Sequence, residues 1–221
     1  MKKLEQELDD FRQHLVDMGN LAEKMLRQAT DLLMSAKATN SENSLDADEE
    51  RLDAMQVAVD QDAIRLLTVY SPVAGDLRMV MSIARITAEL ERIGDHSMNI
   101  RESVSLLGEY SPTDLLPALL RMVNIVNGMV NDALNAFSQR DITKAQSTIA
   151  NDNIVDALND QIVGDLLHLD VVRKVKGGAD MSLPLAQMLI ARSLERIADQ
   201  ATNISEEVVY MVKGDDIRHQ S

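Results

Sequence analysis

The sequence predicts an all-α protein, built as two tandem, pseudo-repeated three-helix bundles with six long antiparallel helices. Three observations carry this. The string Leu90-Glu91-Arg92-Ile93-Gly94-Asp95-His96-Ser97-Met98-Asn99-Ile100 returns 104 residues later as Leu194-Glu195-Arg196-Ile197-Ala198-Asp199-Gln200-Ala201-Thr202-Asn203-Ile204, with seven of eleven positions identical. Self-similarity at a fixed period reads as an internal duplication, and it divides the chain into units 1–109 and 110–221. Hydrophobic residues make up 45% and aromatics only 2%, with 13 Met, no Trp, four Pro and nine Gly. Flexible aliphatic side chains suit helix bundles, and so few Pro and Gly leave little material for a turn-rich sheet. Finally, apolar residues recur three and four apart along most of the chain, the spacing of one helix face.

The first helix is expected over Leu4–Ala38, where Leu8, Phe11, Leu15, Met18, Ala22, Met25, Ala29, Leu32 and Leu33 form an apolar stripe. Thr39–Ser44 is the turn. The second runs over Ser44–Val69 with Leu45, Leu52, Met55, Val59, Leu66 and Val69 inward, and Ser71-Pro72 ends it. Pro72 is placed in the opening turn of the third helix, where its missing N–H has no partner to lose. That third helix, Val73–Leu107, keeps a clean seam through Met79, Ile83, Ile86, Leu90, Ile93, Ser97, Ile100, Val104 and Leu107. It spans roughly 50 Å at 1.5 Å per residue, and Gly108 closes it.

Ser111-Pro112-Thr113-Asp114 opens the second half, with a fourth helix over Asp114–Ser138 and Pro117 in its first turn. Gln139-Arg140-Asp141 is a short turn. The fifth helix covers Ile142–Val175, Lys176–Asp180 is a loop, and the sixth covers Leu183–Val212 with Gly214 ending it. Long helices joined by short turns become antiparallel neighbours.

Net charge is −14 and the pI about 4.6. That disfavours nucleic acid and bare inorganic phosphate on the surface, and favours cations and basic protein patches as partners. There is no cysteine, so disulfides and thiolate-held zinc or iron–sulfur centres are excluded. The first twenty residues are amphipathic and acidic, and no run approaches the ~18 apolar residues of a membrane span. The expected location is cytoplasmic, with the membrane reached only through partners.

Taking Leu90 and Ile93 as seam positions of the third helix places Glu91 and Asp95 off the seam, and Leu194 and Ile197 do the same for Glu195 and Asp199. The second and fifth helices carry matching pairs, Glu49 with Asp53 and Asp152 with Asp156, each four apart and so stacked on one face. Antiparallel neighbours would bring four carboxylates together on the outer face of each bundle. Crowded carboxylates raise one another's pKa, and a cation relieves them. Oxygen-only donors suit magnesium, calcium, manganese or ferric iron. A solvent-facing pair of acids is also commonplace in an acidic helix, so spacing alone leaves both readings open.

The repeated string also resembles the PhoU family, regulators of the high-affinity phosphate transport system. The residues that carry the likeness are Leu90–Asp95, Leu194–Asp199, Ser71-Pro72-Val73-Ala74-Gly75-Asp76-Leu77-Arg78, and the ending Val212-Lys213-Gly214-Asp215-Asp216-Ile217-Arg218-His219. The likeness covers essentially the whole chain. It implies the same paired-bundle architecture, and multinuclear iron or zinc clusters held by Glu49, Asp53, Glu91, Asp95, Asp152, Asp156, Glu195 and Asp199. Asn99 and Asn203 would be auxiliary ligands. It further implies a cytoplasmic negative regulator of the phosphate-starvation response, which couples the ATPase subunit of a phosphate transporter to a sensor histidine kinase and forms a homodimer. Asp76, Arg78, Arg92 and Arg196 are candidate partner contacts.

Arg92 and Arg196 have a plainer reading as local ion-pair partners of the helix-surface acids. Asp62 and Asp165 fall on the seam in heptad register, where Asp62 would pair with Arg65 or Arg85. His14, His96, His168 and His219 show no common spacing. No Ser/His/Asp grouping, Gly-rich phosphate loop or Cys nucleophile occurs, so no catalytic residue is assigned. Two alternatives remain: a carboxylate-bridged metalloenzyme, which would need the acids in the bundle core, and a metal-storage helical protein.

Overall fold

The computed structural model describes residues 2–35, 42–107, 110–168 and 181–217, and all secondary structure among them is helical. The six helices are α1 (Lys2–Ser35), α2 (Glu42–Tyr70), α3 (Ala74–Ser105), α4 (Pro117–Gln139), α5 (Ile142–His168) and α6 (Ser182–Lys213), with a 3-10 turn at Pro112–Asp114. The expected turn at residues 39–41, the cap Gly108, the end of the fifth helix and the loop 176–180 lie outside the described residues, as do Arg218 and His219.

The predicted stripe of α1 is buried at every named position, from Leu8 to Leu33. The seam of α3 is buried from Met79 to Ile100, with Val104 half-buried. Burying each such side chain contributes about 1.5–3 kcal/mol. α3 also buries a second face that includes Val80, Ser82, Thr87, Gly94 and Met98. The reason is its packing partners. It touches α1 and α2 of its own half and α6 of the other. α1, α3, α6 and α4 form a closed square of contacts, with α2 laid against α1 and α3, and α5 against α4 and α6. The two three-helix units therefore share one continuous hydrophobic core.

Several local expectations need correction. Pro72 is not in the first turn of α3. It is buried one residue before the N-cap, Val73, and the helix begins at Ala74. Ser71 and Ala74 take φ of 45° and 50° at this corner, a left-handed conformation costing a non-glycine residue roughly 1 kcal/mol or more. α4 begins at Pro117 rather than Asp114, because Ser111 and Asp114 instead close a capping box, the Ser111 amide donating to Asp114 Oδ2 at 2.8 Å. Val69 is 64% exposed and Asp165 is exposed. The α5 seam runs through Val155, Leu158, Ile162 and Leu166, so a straight helix of 3.6 residues per turn has drifted off the seven-residue register that predicted Asp165 inside. Asp62 is half-buried and pairs with Arg65 at 3.1 Å, as read, and also with His14 at 3.1 Å.

The ends of α4 and α6 follow ordinary capping chemistry. Arg140 takes the left-handed cap of α4, and Gly214, at φ 82°, caps α6, its amide donating to the Tyr210 carbonyl at 2.8 Å. Glycine enters this region without the Cβ clash other residues meet.

Candidate functional site

The acid pairs sit on two helix pairs, α2 with α3 and α5 with α6. Asp53, Asp95 and Asp156 are exposed, while Glu49, Glu91, Asp152, Glu195 and Asp199 are half-buried. None of the eight enters the core. This is the arrangement the seam register predicts, and it disfavours a ferritin-like oxidase, whose ligands project into the bundle interior. The antiparallel course of α2 and α3 is anchored by Arg101 Nη1 donating to Asp46 Oδ1 at 2.5 Å and by Leu52 lying against Gly94.

Each quartet is electrostatically coupled. Partial burial raises the pKa of Glu49, and Asp53 and Asp95 raise it further. Burial followed by Asp95 and Asp53 does the same to Glu91. In the second half, Asp152 is raised by burial and then by Asp156 and Glu195, with the Thr202 hydroxyl pulling the other way. Asp199 is pushed up to about 6, by burial first and then by Glu195 and Asp152. These shifts put Glu49 and Glu91 within Coulomb range of Asp53 and Asp95, and Asp152 and Asp199 within range of Asp156 and Glu195.

Among the described residues, no three His, Asp or Glu side chains already stand at metal-holding geometry. The second quartet is the more buried of the two, with three of its four acids half-buried. Asp152 Oδ1 is buried beside like charges, with the Thr202 hydroxyl as the polar group that relieves it, and crowded carboxylates of this kind are costly unless a cation approaches. The donor set is all oxygen, which fits hard ions. Asn99 and Asn203 are exposed one turn beyond the acids. Asn203 Nδ2 donates to Glu89 Oε2 at 3.2 Å, and Asn99 Nδ2 lies 3.4 Å from His96 Nδ1.

The arginines keep to their own helices. Arg92 Nη1 donates to Glu89 Oε1 at 3.1 Å, and Arg196 lies 3.5 Å from Asp199 Oδ2 and 3.8 Å from Glu195 Oε2. Asp76 is exposed in the first turn of α3, where a negative charge complements the helix dipole. Arg78 lies over Gly214, with its Nε buried and without a partner. With Met79 and Arg140 it lines a cavity of about 210 Å³ at that end of the molecule.

The sequence reading missed one polar group at the centre of the fold. Glu207 of α6 is buried, accepting from Ser82 Oγ at 3.2 Å and from Arg85 Nη1 at 3.2 Å. The Arg85 guanidinium stands 5.7 Å from the centre of the Tyr210 ring. These contacts tie α3 to α6 across the two halves. No local spacing marks Glu207, since its partners lie more than 120 residues away.

The PhoU domain family model matches the chain twice, over residues 15–104 and 119–208. The chain belongs to the PhoU family. A homologue of the phosphate-specific transport system accessory protein PhoU from Aquifex aeolicus is 34% identical over 220 residues, covering 99% of this chain and 96% of its own length. The Escherichia coli K12 protein of that name is 31% identical, covering 96% of this chain and 86% of its own. The crystal structure of PhoU from Pseudomonas aeruginosa superposes with a TM-score of 0.84 at 30% identity, over 96% of this chain and 99% of that one. The two matched segments each span the three helices of one half of the duplication.

Proposed function

We propose that the chain is an accessory regulator of phosphate transport. It would repress the phosphate-starvation response when phosphate is plentiful by bridging the ATPase subunit of the phosphate transporter and a sensor histidine kinase. What carries this reading is the near full-length likeness, both repeats in order, to proteins named for that accessory role. An adaptor needs contact surfaces rather than reacting groups, and long acidic helices offer surfaces complementary to basic patches. The setting is cytoplasmic. No helix among the described residues is long and apolar enough to cross a membrane, which agrees with a membrane role exercised through partners. The exposed ends of α3, with Asp76 and Arg78, and the arginines Arg92 and Arg196 are the proposed contact points, and the active form is a homodimer.

The two quartets are proposed as metal centres, Glu49, Asp53, Glu91 and Asp95 in one half and Asp152, Asp156, Glu195 and Asp199 in the other. Bound iron or zinc, or magnesium, manganese or calcium, would supply positive charge that neutralises the crowded carboxylates and stiffens the α2/α3 and α5/α6 faces. Arg101 on Asp46 and Leu52 against Gly94 hold α2 and α3 in register beneath the first quartet. Two experiments test the reading. Affinity-tagged protein should retain the transporter ATPase and the kinase from membranes, and failure to retain either sinks the adaptor role. Elemental analysis of protein purified without chelator should find metal in the wild type and about half as much in Glu91→Ala with Asp95→Ala. Equal metal in both, or none in either, removes the metal centres while leaving the adaptor intact.

A further inference from the structure

α3 and α6 cross the middle of the molecule antiparallel, and from Arg78 onward each residue of α3 has its duplicate 104 positions later in α6. The two ends of their seam are therefore equivalent by the internal symmetry, and side chains can be compared across it. At one end, Arg85, Glu89 and Arg92 of α3 meet Asn203, Glu207 and Tyr210 of α6. The space is filled by the buried Glu207 carboxylate on Ser82 and Arg85, and by Glu89 held between Arg92 and Asn203. At the other end the duplicates are Leu189, Ser193 and Arg196 of α6 against Asn99 and Ser103 of α3 and Leu106 at its C-cap. Both carboxylates have become serines, and Tyr210 has become leucine. The result is an open cavity of about 370 Å³ lined by these residues together with His96, Glu102 and Arg192, within the size range of small-molecule sites.

The charge changes with the volume. Arg85 is replaced by Leu189, but Arg192 stands where the other end has Ala88, so this end also carries two guanidiniums, while neither Glu89 nor Glu207 has a carboxylate counterpart. Glu102 duplicates Glu206 and is common to both ends. Arg192 is exposed and makes no ion pair or hydrogen bond among the described residues. Arg196 stands 3.5 and 3.8 Å from its carboxylate neighbours, beyond good hydrogen-bond length. The Ser103 and Ser193 hydroxyls donate to backbone carbonyls of their own helices, Asn99 at 2.8 Å and Leu189 at 3.1 Å. Those bonds exchange easily for a better acceptor. Leu106 and Leu189 form the apolar side.

We propose that this cavity binds a small dianionic oxyanion ligand, a short dicarboxylate or a phosphate monoester. Its two charges stand where Glu89 and Glu207 stand at the sealed end, and Arg192 and Arg196 receive them. The acidic net charge disfavours anions over the surface as a whole, but at this end the counterparts of Glu89 and Glu207 are serines, and Arg192 and Arg196 line the cavity against the single carboxylate of Glu102. The cavity shares Arg196 with the proposed partner contacts and with Glu195 and Asp199 of the second acid quartet, so the test uses full-length protein stripped of metal and free of partners, and Arg192, which neither of those readings uses, carries the decisive variant.

Calorimetric titration at low ionic strength with glutarate, phenyl phosphate and propionate distinguishes the sources. One saturable site is expected for glutarate or phenyl phosphate, at least about ten-fold tighter than for propionate, since only a dianion engages both guanidiniums through charge-assisted hydrogen bonds. Whichever dianion binds more tightly identifies the ligand class. Arg192→Gln should weaken binding about ten-fold, and Ser103→Glu should abolish it by supplying an internal carboxylate, as Glu207 does, with the melting temperature retained. No saturable heat with any of the three, propionate binding as tightly as the dianions, or binding unchanged in Arg192→Gln would overturn the proposal. Arg192 is a surface residue, so that variant stays folded even if Ser103→Glu does not.

Discussion

Neutralising Asp199 should stabilise the metal-free protein and weaken its response to metal. The Asp199 carboxyl is pushed from 3.8 to about 6, by burial and then by Glu195 and Asp152. Its ionised form is therefore a destabilising group in the folded state. At about 1.36 kcal/mol per pH unit the shift corresponds to roughly 3 kcal/mol. The side chain is 37% exposed, so solvent screening reduces this to about 1–1.5 kcal/mol. Arg196, at 3.5 Å, returns a few tenths of that in the wild type. The sign follows from proton linkage: between pH 3.8 and about 6 the folded state binds more protons than the unfolded chain. Wild-type stability should fall as pH rises through that window and stay low above it. Asp199→Asn should lose this slope and melt about 2–4 °C higher at pH 8 in metal-free buffer. Added divalent metal should then raise the melting temperature of the wild type more than that of the variant, because only the wild type retains the full donor set. Circular-dichroism melts from pH 4.5 to 8, with and without metal, read all of this. A variant less stable than the wild type at pH 8 without metal, or one with the same pH slope, would refute the charge-crowding argument.

Other substitutions test the packing. A Cβ on Gly94 would collide with the end of the Leu52 side chain and touch Met25, whereas the second half pairs Ala198 with the smaller Val155 at the same place. Gly94→Ala alone should destabilise by about 1 kcal/mol, overpacking outweighing the gain in helix propensity. Gly94→Ala with Leu52→Val should recover most of the loss in urea denaturation, and strict additivity of the two changes would contradict the contact. Arg85→Met, which strips the cation from buried Glu207, should cost about 2–3 kcal/mol, while Arg92→Met on an exposed pair should cost under about 1 kcal/mol; equal midpoints for the two variants would count against the buried pair. Gly214→Ala should cost about 1 kcal/mol in the same assay, since φ of 82° strains any residue with a Cβ; an unchanged midpoint would show that the cap is dispensable.

Helix positions and the outward direction of the acids were legible in the sequence because both follow from a local period. An apolar stripe such as Leu8 to Leu33 in α1 defines which face is buried before any partner is known. Glu91 and Asp95, one and two positions past seam residues, are turned away from it by geometry alone. The duplication was legible for the same reason, as a string compared with itself. The errors occurred where a seven-residue register was extended too far, at Asp165 and Val69, or where a turn's own hydrogen bonds outcompeted helix propensity, at Ser111–Asp114.

What the sequence determined by itself is the all-helical, doubled architecture and the placing of its paired acids outside the core. Periodicity and repetition are properties of neighbours along the chain. Only the tertiary structure decided that the halves share one core through α3 and α6, that Arg85 and Ser82 reach Glu207 across more than 120 residues, and that the matching end of the same seam is left open. Those outcomes depend on which faces meet once both bundles have formed, and a helix presents several faces whose partners no local spacing specifies.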